Sequence, residues 1–141
     1  MDDGELLHGD ITHRVIGAFY YVYNGLRHGF LESVYKQALA NTLERSGTRV
    51  LREAPMTVEF EDVAVGDFRA DLVIEERVIV EIKAVEQLGS VHEAQLTNYL
   101  RASGLEVGLL LNFGPKATCR RLVNPRANHL LSAGVQSAAS T

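Results

Sequence analysis

Apolar residues recur at helical spacing at Ile11, Val15, Ala18, Phe19 and Val22. This predicts a first helix that starts after Asp10, a candidate N-cap, and ends at Asn24-Gly25. A second helix is predicted from about Phe30 to Ser46, with Leu31, Tyr35, Ala38, Leu39, Thr42 and Leu43 as its inner stripe and Gly47 as its stop. The period then changes. Thr48 to Glu53 and Met56 to Glu61 read as strands separated by Pro55, and Gly66-Asp67 reads as a turn. Phe68–Ile74 and Val78–Val85 read as a hairpin joined by Glu75-Glu76-Arg77. Ser90-Val91-His92-Glu93 has the form of a capping box, so a third helix should begin there, run to about Ala102 and close at Gly104. Glu106 to Phe113 is almost wholly apolar, the pattern of a strand buried on both faces. Gly114-Pro115 breaks it, and Cys119–Asn124 is the last predicted strand.

Helices, strands, helix and strands in that order predict an α/β fold with a mixed central sheet flanked by helices. With 141 residues the chain can build one sizeable core. The expected organisation is a single domain over residues 1–124 and a tail over 125–141 that is rich in Ala and Ser, either frayed or a short helix. Cys119 is the only cysteine, which excludes an intrachain disulfide and a cysteine-rich zinc site. The acidic start Met1-Asp2-Asp3-Gly4-Glu5 does not resemble a secretory signal, and Val15–Tyr23 is too short to span a bilayer. A cytoplasmic protein without a membrane partner is expected.

The net charge of −4 argues against a general nucleic-acid coat protein. Its distribution is uneven. From Gly114 onward there are no acids, only Lys116, Arg120, Arg121 and Arg126, so +4 lies in that segment and −8 in residues 1–113. For charge alone, chance scatter over the surface is the better account than an acidic site that takes a cation.

Within Val78-Ile79-Val80-Glu81-Ile82-Lys83, alternation puts Ile79, Glu81 and Lys83 on one face. Alone, Glu81 and Lys83 read as a strand-end ion pair. Asp71 alters the picture because it also falls inside a strand pattern. If Glu75-Glu76-Arg77 is the loop, Ile74 pairs with Val78, and counting back sets Asp71 opposite Glu81. Two opposed carboxylates repel, and a hard divalent cation such as Mg²⁺ turns that repulsion into ligation. A register shifted by one residue would separate them. Glu32 falls on the inner stripe of the second helix, either as a rim glutamate reaching water or as a third site carboxylate. Gly29, one turn earlier, suggests close approach of another backbone. His92, Gln95 and Tyr99 form a polar stripe on the third helix, which in isolation reads as a solvated face.

Together these residues resemble the GxxExxY proteins, a family placed in the PD-(D/E)XK nuclease superfamily. Gly29-Phe30-Leu31-Glu32-Ser33-Val34-Tyr35 fits the GxxExxY signature. Asp71, Glu81-Ile82-Lys83, Gln95-x-x-x-Tyr99 and Asn112-Phe113-Gly114 follow in matching order. Ala70 stands where many relatives have proline. The resemblance spans about Ile11 to Asn124 and implies a PD-(D/E)XK nuclease-like fold. It implies that Asp71 and Glu81 hold Mg²⁺ or Mn²⁺, aided by the Ile82 carbonyl and by Glu32. It further implies that Lys83 serves the attacking water or the transition state, and that Gln95 and Tyr99 contact the active site or the nucleic acid.

The leading expectation is therefore a metal-dependent nuclease acting on phosphodiester bonds, of DNA before RNA. The alternative is a non-catalytic module that binds nucleic acid or protein through the same fold. A third expectation is a homo-oligomer, with Lys116–Arg126 as a DNA-facing or subunit-facing patch.

Overall fold

The computed structural model describes residues 7–125. Its described elements are α1 (Gly9–Leu26), α2 (Glu32–Arg45), β1 (Val50–Phe60), β2 (Val63–Ile74), β3 (Val78–Lys83), α3 (Ser90–Ser103), β4 (Val107–Phe113) and β5 (Ala117–Val123). The strands form one sheet in the order β1-β2-β3-β4-β5. β3 and β4 are parallel, with α3 in the connection between them, and the other neighbouring pairs are antiparallel. This is the expected α/β architecture, a mixed sheet flanked by helices. The predicted tail falls outside the described residues from position 126 onward. Among the described residues no helix is long and apolar enough to cross a membrane.

Two cores lie on the two faces of the sheet. On one, Ile11, Val15, Phe19 and Val22 of α1 and Tyr35, Leu39 and Leu43 of α2 pack on Val78, Val80 and Ile82 of β3 and Leu109, Leu111 and Phe113 of β4. On the other, Leu96 and Leu100 of α3 pack on Val73, Ile79 and Leu110. Burying each such Leu, Ile or Phe contributes about 1.5–3 kcal/mol. Every position of β4 is buried, as its continuous apolar run predicts.

Several local expectations are corrected. Pro55 does not interrupt β1, which runs through it as a single strand. β1 is an edge strand, where a missing N–H is tolerated. Gly66-Asp67 lies inside β2, and the β1–β2 turn is instead Glu61-Asp62, with φ of 52° and 67°. Residues with positive φ at both central positions make the hairpin turn that fits strand twist, but glutamate is an unusual choice there. The N-cap position of α1 is His8 rather than Asp10, without a side-chain capping bond, and the helix runs to Leu26. Leu31 is 76% exposed at the N-cap of α2 instead of joining its inner stripe.

The pleat inverts partway along β1 and β2. Val50, Leu72 and Ile74 join the α1–α2 core, whereas Ala54, Met56, Phe68 and Ala70 join the α3 core, although all are even-numbered. The inversion occurs where Glu53 takes φ 51° and faces Asp71, between the pairs Arg52↔Leu72 and Ala54↔Ala70. The β2–β3 ladder also stops here, at Leu72↔Val80. Asp71 therefore sits at a break in the sheet.

Candidate active site

The hairpin loop Glu75-Glu76-Arg77 fixes the register that the site depends on. Glu75 and Glu76 adopt positive φ, and the Arg77 N–H donates to Ile74 O. Ile74 pairs with Val78 as expected. One step beyond the ladder, side chains take over from main-chain pairing. The Asp71 N–H donates to Glu81 Oε2 at 2.8 Å, and the Ile82 N–H donates to Asp71 Oδ2 at 2.8 Å. The predicted neighbours are thus brought together, each carboxylate bonded to the opposite strand.

Glu81 is 5% exposed. Burial, then the negative charge of Asp71, pushes its carboxyl up to about 8, against the opposing pull of the Asp71 N–H, Lys83 and Lys36. Such a pair is hard to ionise twice without a positive charge beside it. Lys36 of α2 already supplies one, its Nζ 3.1 Å from Asp71 Oδ1 and also bonded to Glu53. Two adjacent carboxyl groups are oxygen donors of the kind a hard cation takes. Asp71 and Glu81 fit a divalent ion in donor type.

The remaining predicted residues surround this pair. Lys83 ends β3, with its Nζ 3.4 Å from Gln95 Oε1, a long hydrogen bond. Tyr99 stacks on Phe68, ring centroids 3.9 Å apart. Its hydroxyl is shifted upward by burial and by the charges of Glu81 and Asp71, which places it within their field. His92 does not join the stripe; its Nδ1 accepts the Gly89 N–H and caps α3, one residue before the predicted cap.

Glu32 stands at the first turn of α2, exposed, with Oε2 accepting the Ala84 N–H at 3.2 Å. It touches the exit of β3, but among the described residues no three His, Cys, Asp or Glu side chains gather closely enough to hold a metal. The segment before it is fixed by Tyr35, whose hydroxyl donates to Arg27 O and accepts the Phe30 N–H while its ring stacks on Phe113. Gly29 has φ 122°, and an added Cβ would meet nothing within 4 Å. Its requirement is thus conformational and not the close backbone approach expected from sequence.

A clasp holds the end of β3 beside β4. Asn112 accepts the Val85 N–H at 2.9 Å and donates to Val85 O at 3.0 Å. Sequence reasoning missed Lys36 and Glu53. Lys36 carries no period signal, and Glu53 read as the end of a strand.

A groove of about 640 Å³ runs between the β1–β2 hairpin and α3, lined by Val58, Phe68, Asn98 and Tyr99. Glu59, Asp67 and Arg101 also line it, so its charge toward a phosphate backbone is mixed. On β5, Arg120 pairs with Glu93 and Arg121 donates to Leu7 O, so part of the basic C-terminal segment is engaged within the domain. Cys119 is half-buried, and burial pushes its thiol up to about 11, which makes it a poor nucleophile.

A family model described as the PD-(D/E)XK nuclease superfamily matches residues 9–122. No curated protein matches the chain in sequence. Among solved structures, that of SSO0001 aligns with a TM-score of 0.55 at 19% identity, covering 77% of this chain and 57% of its own. The chain thus spans little more than half of that protein, and the likeness is one of fold. The alkaline exonuclease LHK-Exo from Laribacter hongkongensis aligns with a TM-score of 0.46 at 11% identity, covering 96% of this chain and 78% of its own.

Proposed function

Because the chain belongs to the PD-(D/E)XK nuclease superfamily, we propose that it is a metal-dependent nuclease of the GxxExxY type, hydrolysing phosphodiester bonds of DNA. The observation that carries this reading is the Asp71–Glu81 pair, two carboxylates bonded across a break in the sheet, with Lys83 two residues beyond Glu81. Asp71 and Glu81 are the residues that would hold Mg²⁺ or Mn²⁺, with Glu32 and the Ile82 carbonyl as neighbouring oxygen donors. Such an ion, when bound, supplies charge neutralisation at the phosphoryl oxygens and lowers the pKa of a water molecule.

The chain's own groups have separable tasks. Asp71 and Glu81 are fixed by main-chain N–H donors, so their orientation is set before any ligand arrives. Lys83 brings a fixed positive charge to the side of the phosphate where negative charge develops. Gln95 orients Lys83 through its Oε1. Tyr99, held by its stack on Phe68, presents a hydroxyl that remains protonated at neutral pH. Self-association that adds cationic surface is compatible with this reading, since the domain's acidic balance offers little of its own.

The test is cleavage of linear and nicked DNA, and of RNA, with Mg²⁺ or Mn²⁺. Wild type should cleave DNA, whereas Lys83→Ala should lose cleavage with an unchanged circular-dichroism spectrum and an unfolding free energy within about 1 kcal/mol of wild type. A fully active Lys83→Ala would refute the assignment. Nucleic-acid binding that survives Asp71→Asn, without turnover in any protein, would favour the non-catalytic module.

A further inference from the structure

Lys36 reaches from α2 to the candidate site, bonding Asp71 Oδ1 at 3.1 Å and also the Glu53 carboxylate. Its side chain is 16% exposed and that of Asp71 20%. Both contacts are ion pairs between the ammonium and a carboxylate. Glu53 holds its end of the bridge from a left-handed backbone position, φ 51°, that glutamate seldom adopts. Strain of this kind persists where surrounding contacts enforce it, and it concentrates at functional sites.

A divalent ion taken up by Asp71 and Glu81 meets this ammonium at the same carboxylate, and two cations on one carboxylate repel. Resting on the metal-dependent reading above, we propose that Lys36 is the resident counter-ion of Asp71 and that its partial displacement toward Glu53 sets how tightly the site takes a divalent cation. Lys36 is a positioning residue in this account, because it acts through Asp71. Glu53 gives the displaced ammonium an anion to keep. Uptake by the protein alone is then weak. It strengthens when a phosphodiester brings its own negative charge, which couples cation loading to substrate binding.

The experiment titrates Mn²⁺ alone into wild type, Lys36→Met, Lys36→Gln and Lys36→Arg by calorimetry, with circular dichroism confirming the fold. The two neutral variants should bind Mn²⁺ about tenfold more tightly than wild type, the effect of removing a like charge beside the ion. Lys36→Arg should stay close to wild type. Glu53→Gln, which removes the alternative anion but keeps the ammonium, should weaken Mn²⁺ binding, and it carries the test if Lys36→Met or Lys36→Gln does not fold. Equal or weaker binding by the folded neutral variants would overturn the role of Lys36 while leaving the metal-dependent reading intact. So would unchanged binding by Glu53→Gln. Absence of Mn²⁺ binding in every protein, with no Mn²⁺-dependent cleavage, would remove both.

Discussion

Asp71 and Glu81 brace each other through the main chain: the Asp71 N–H is bonded to Glu81 Oε2, and Asp71 Oδ2 is bonded to the Ile82 N–H, both at 2.8 Å. The ladder between β2 and β3 ends one residue pair earlier, at Leu72↔Val80. The carboxylates therefore satisfy main-chain donors that strand pairing leaves behind. They also place two acids side by side in a site where one is almost fully buried. Structure and chemistry draw on the same two side chains, and the consequences are separable by experiment.

The first consequence is a dependence of stability on pH. Burial and the neighbouring Asp71 raise the Glu81 carboxyl to about 8 from an unfolded value of 4.5. Between those values the folded protein holds a proton that the unfolded chain has released. The contribution of Glu81 is thus fully present below about pH 4.5 and is lost as pH rises toward 8. In EDTA, denaturant unfolding of wild type minus that of Glu81→Gln should show stability falling by a few kcal/mol across this window, with a limiting slope of about 1.4 kcal/mol for each pH unit crossed. Excess Mn²⁺ should flatten the slope, since the ion favours the ionised form. A flat difference in EDTA would mean that Glu81 is ionised throughout.

The second consequence is an opposition between stability and activity. In Glu81→Gln the amide oxygen still accepts the Asp71 N–H, while the buried charge is gone. At pH 8 in EDTA the variant should be more stable than wild type by about 1–2 kcal/mol. Its DNA cleavage should fall by about two orders of magnitude or more. Parallel denaturant titrations and cleavage assays check both; a variant destabilised at pH 8 would show that the carboxylate is a structural asset.

How much of this was legible in the sequence depends on where turns announce themselves. The Glu75-Glu76-Arg77 loop is bounded by apolar runs, so the Ile74↔Val78 pair, and from it the apposition of Asp71 and Glu81, could be counted out. The β1–β2 turn was hidden because Glu61-Asp62 lacks the glycine or asparagine that normally marks positive φ. Even with that turn known, counting from Phe60↔Val63 would have set Glu53 opposite Ala70. An irregularity next to Val58 moves the register by one, to Asp71. The Glu53 contact and the pleat inversion depend on that bulge and on a left-handed residue, neither of which leaves a periodic trace. Lys36 escaped because a lysine in a helix is ordinary until the strand it reaches is placed.

The clasp at the end of β3 makes a steric prediction. A Cβ on Gly114 would lie 2.0 Å from Val85 O and 2.9 Å from Asn112 Nδ2. Both atoms belong to the Asn112–Val85 clasp. Gly114→Ala must push β3's exit segment away and should cost about 2–3 kcal/mol. Gly66→Ala is the control, because nothing lies within 4 Å of its Cβ position, and it should change stability by less than about 0.5 kcal/mol. Thermal unfolding of the two variants decides; equal midpoints would show that the clasp yields easily.

Tyr35 makes the last prediction, because its ring and its hydroxyl have different tasks. The Tyr35 ring is fully buried and stacks on Phe113 at a centroid distance of 4.4 Å. The hydroxyl ties Arg27 O to the Phe30 N–H, closing the segment that contains Gly29 and ends at Glu32. Tyr35→Phe keeps the ring and removes the tie, so it should cost about 1–2 kcal/mol through unpaired main-chain groups. The same change loosens the residues that hold Glu32 on the Ala84 N–H. Hydrogen exchange should therefore speed up at Phe30 and at Ala84, on α2's entry and on β3's exit, while amides of β4 stay protected. Faster exchange at Phe30 alone would mean that Glu32 is positioned independently of Tyr35.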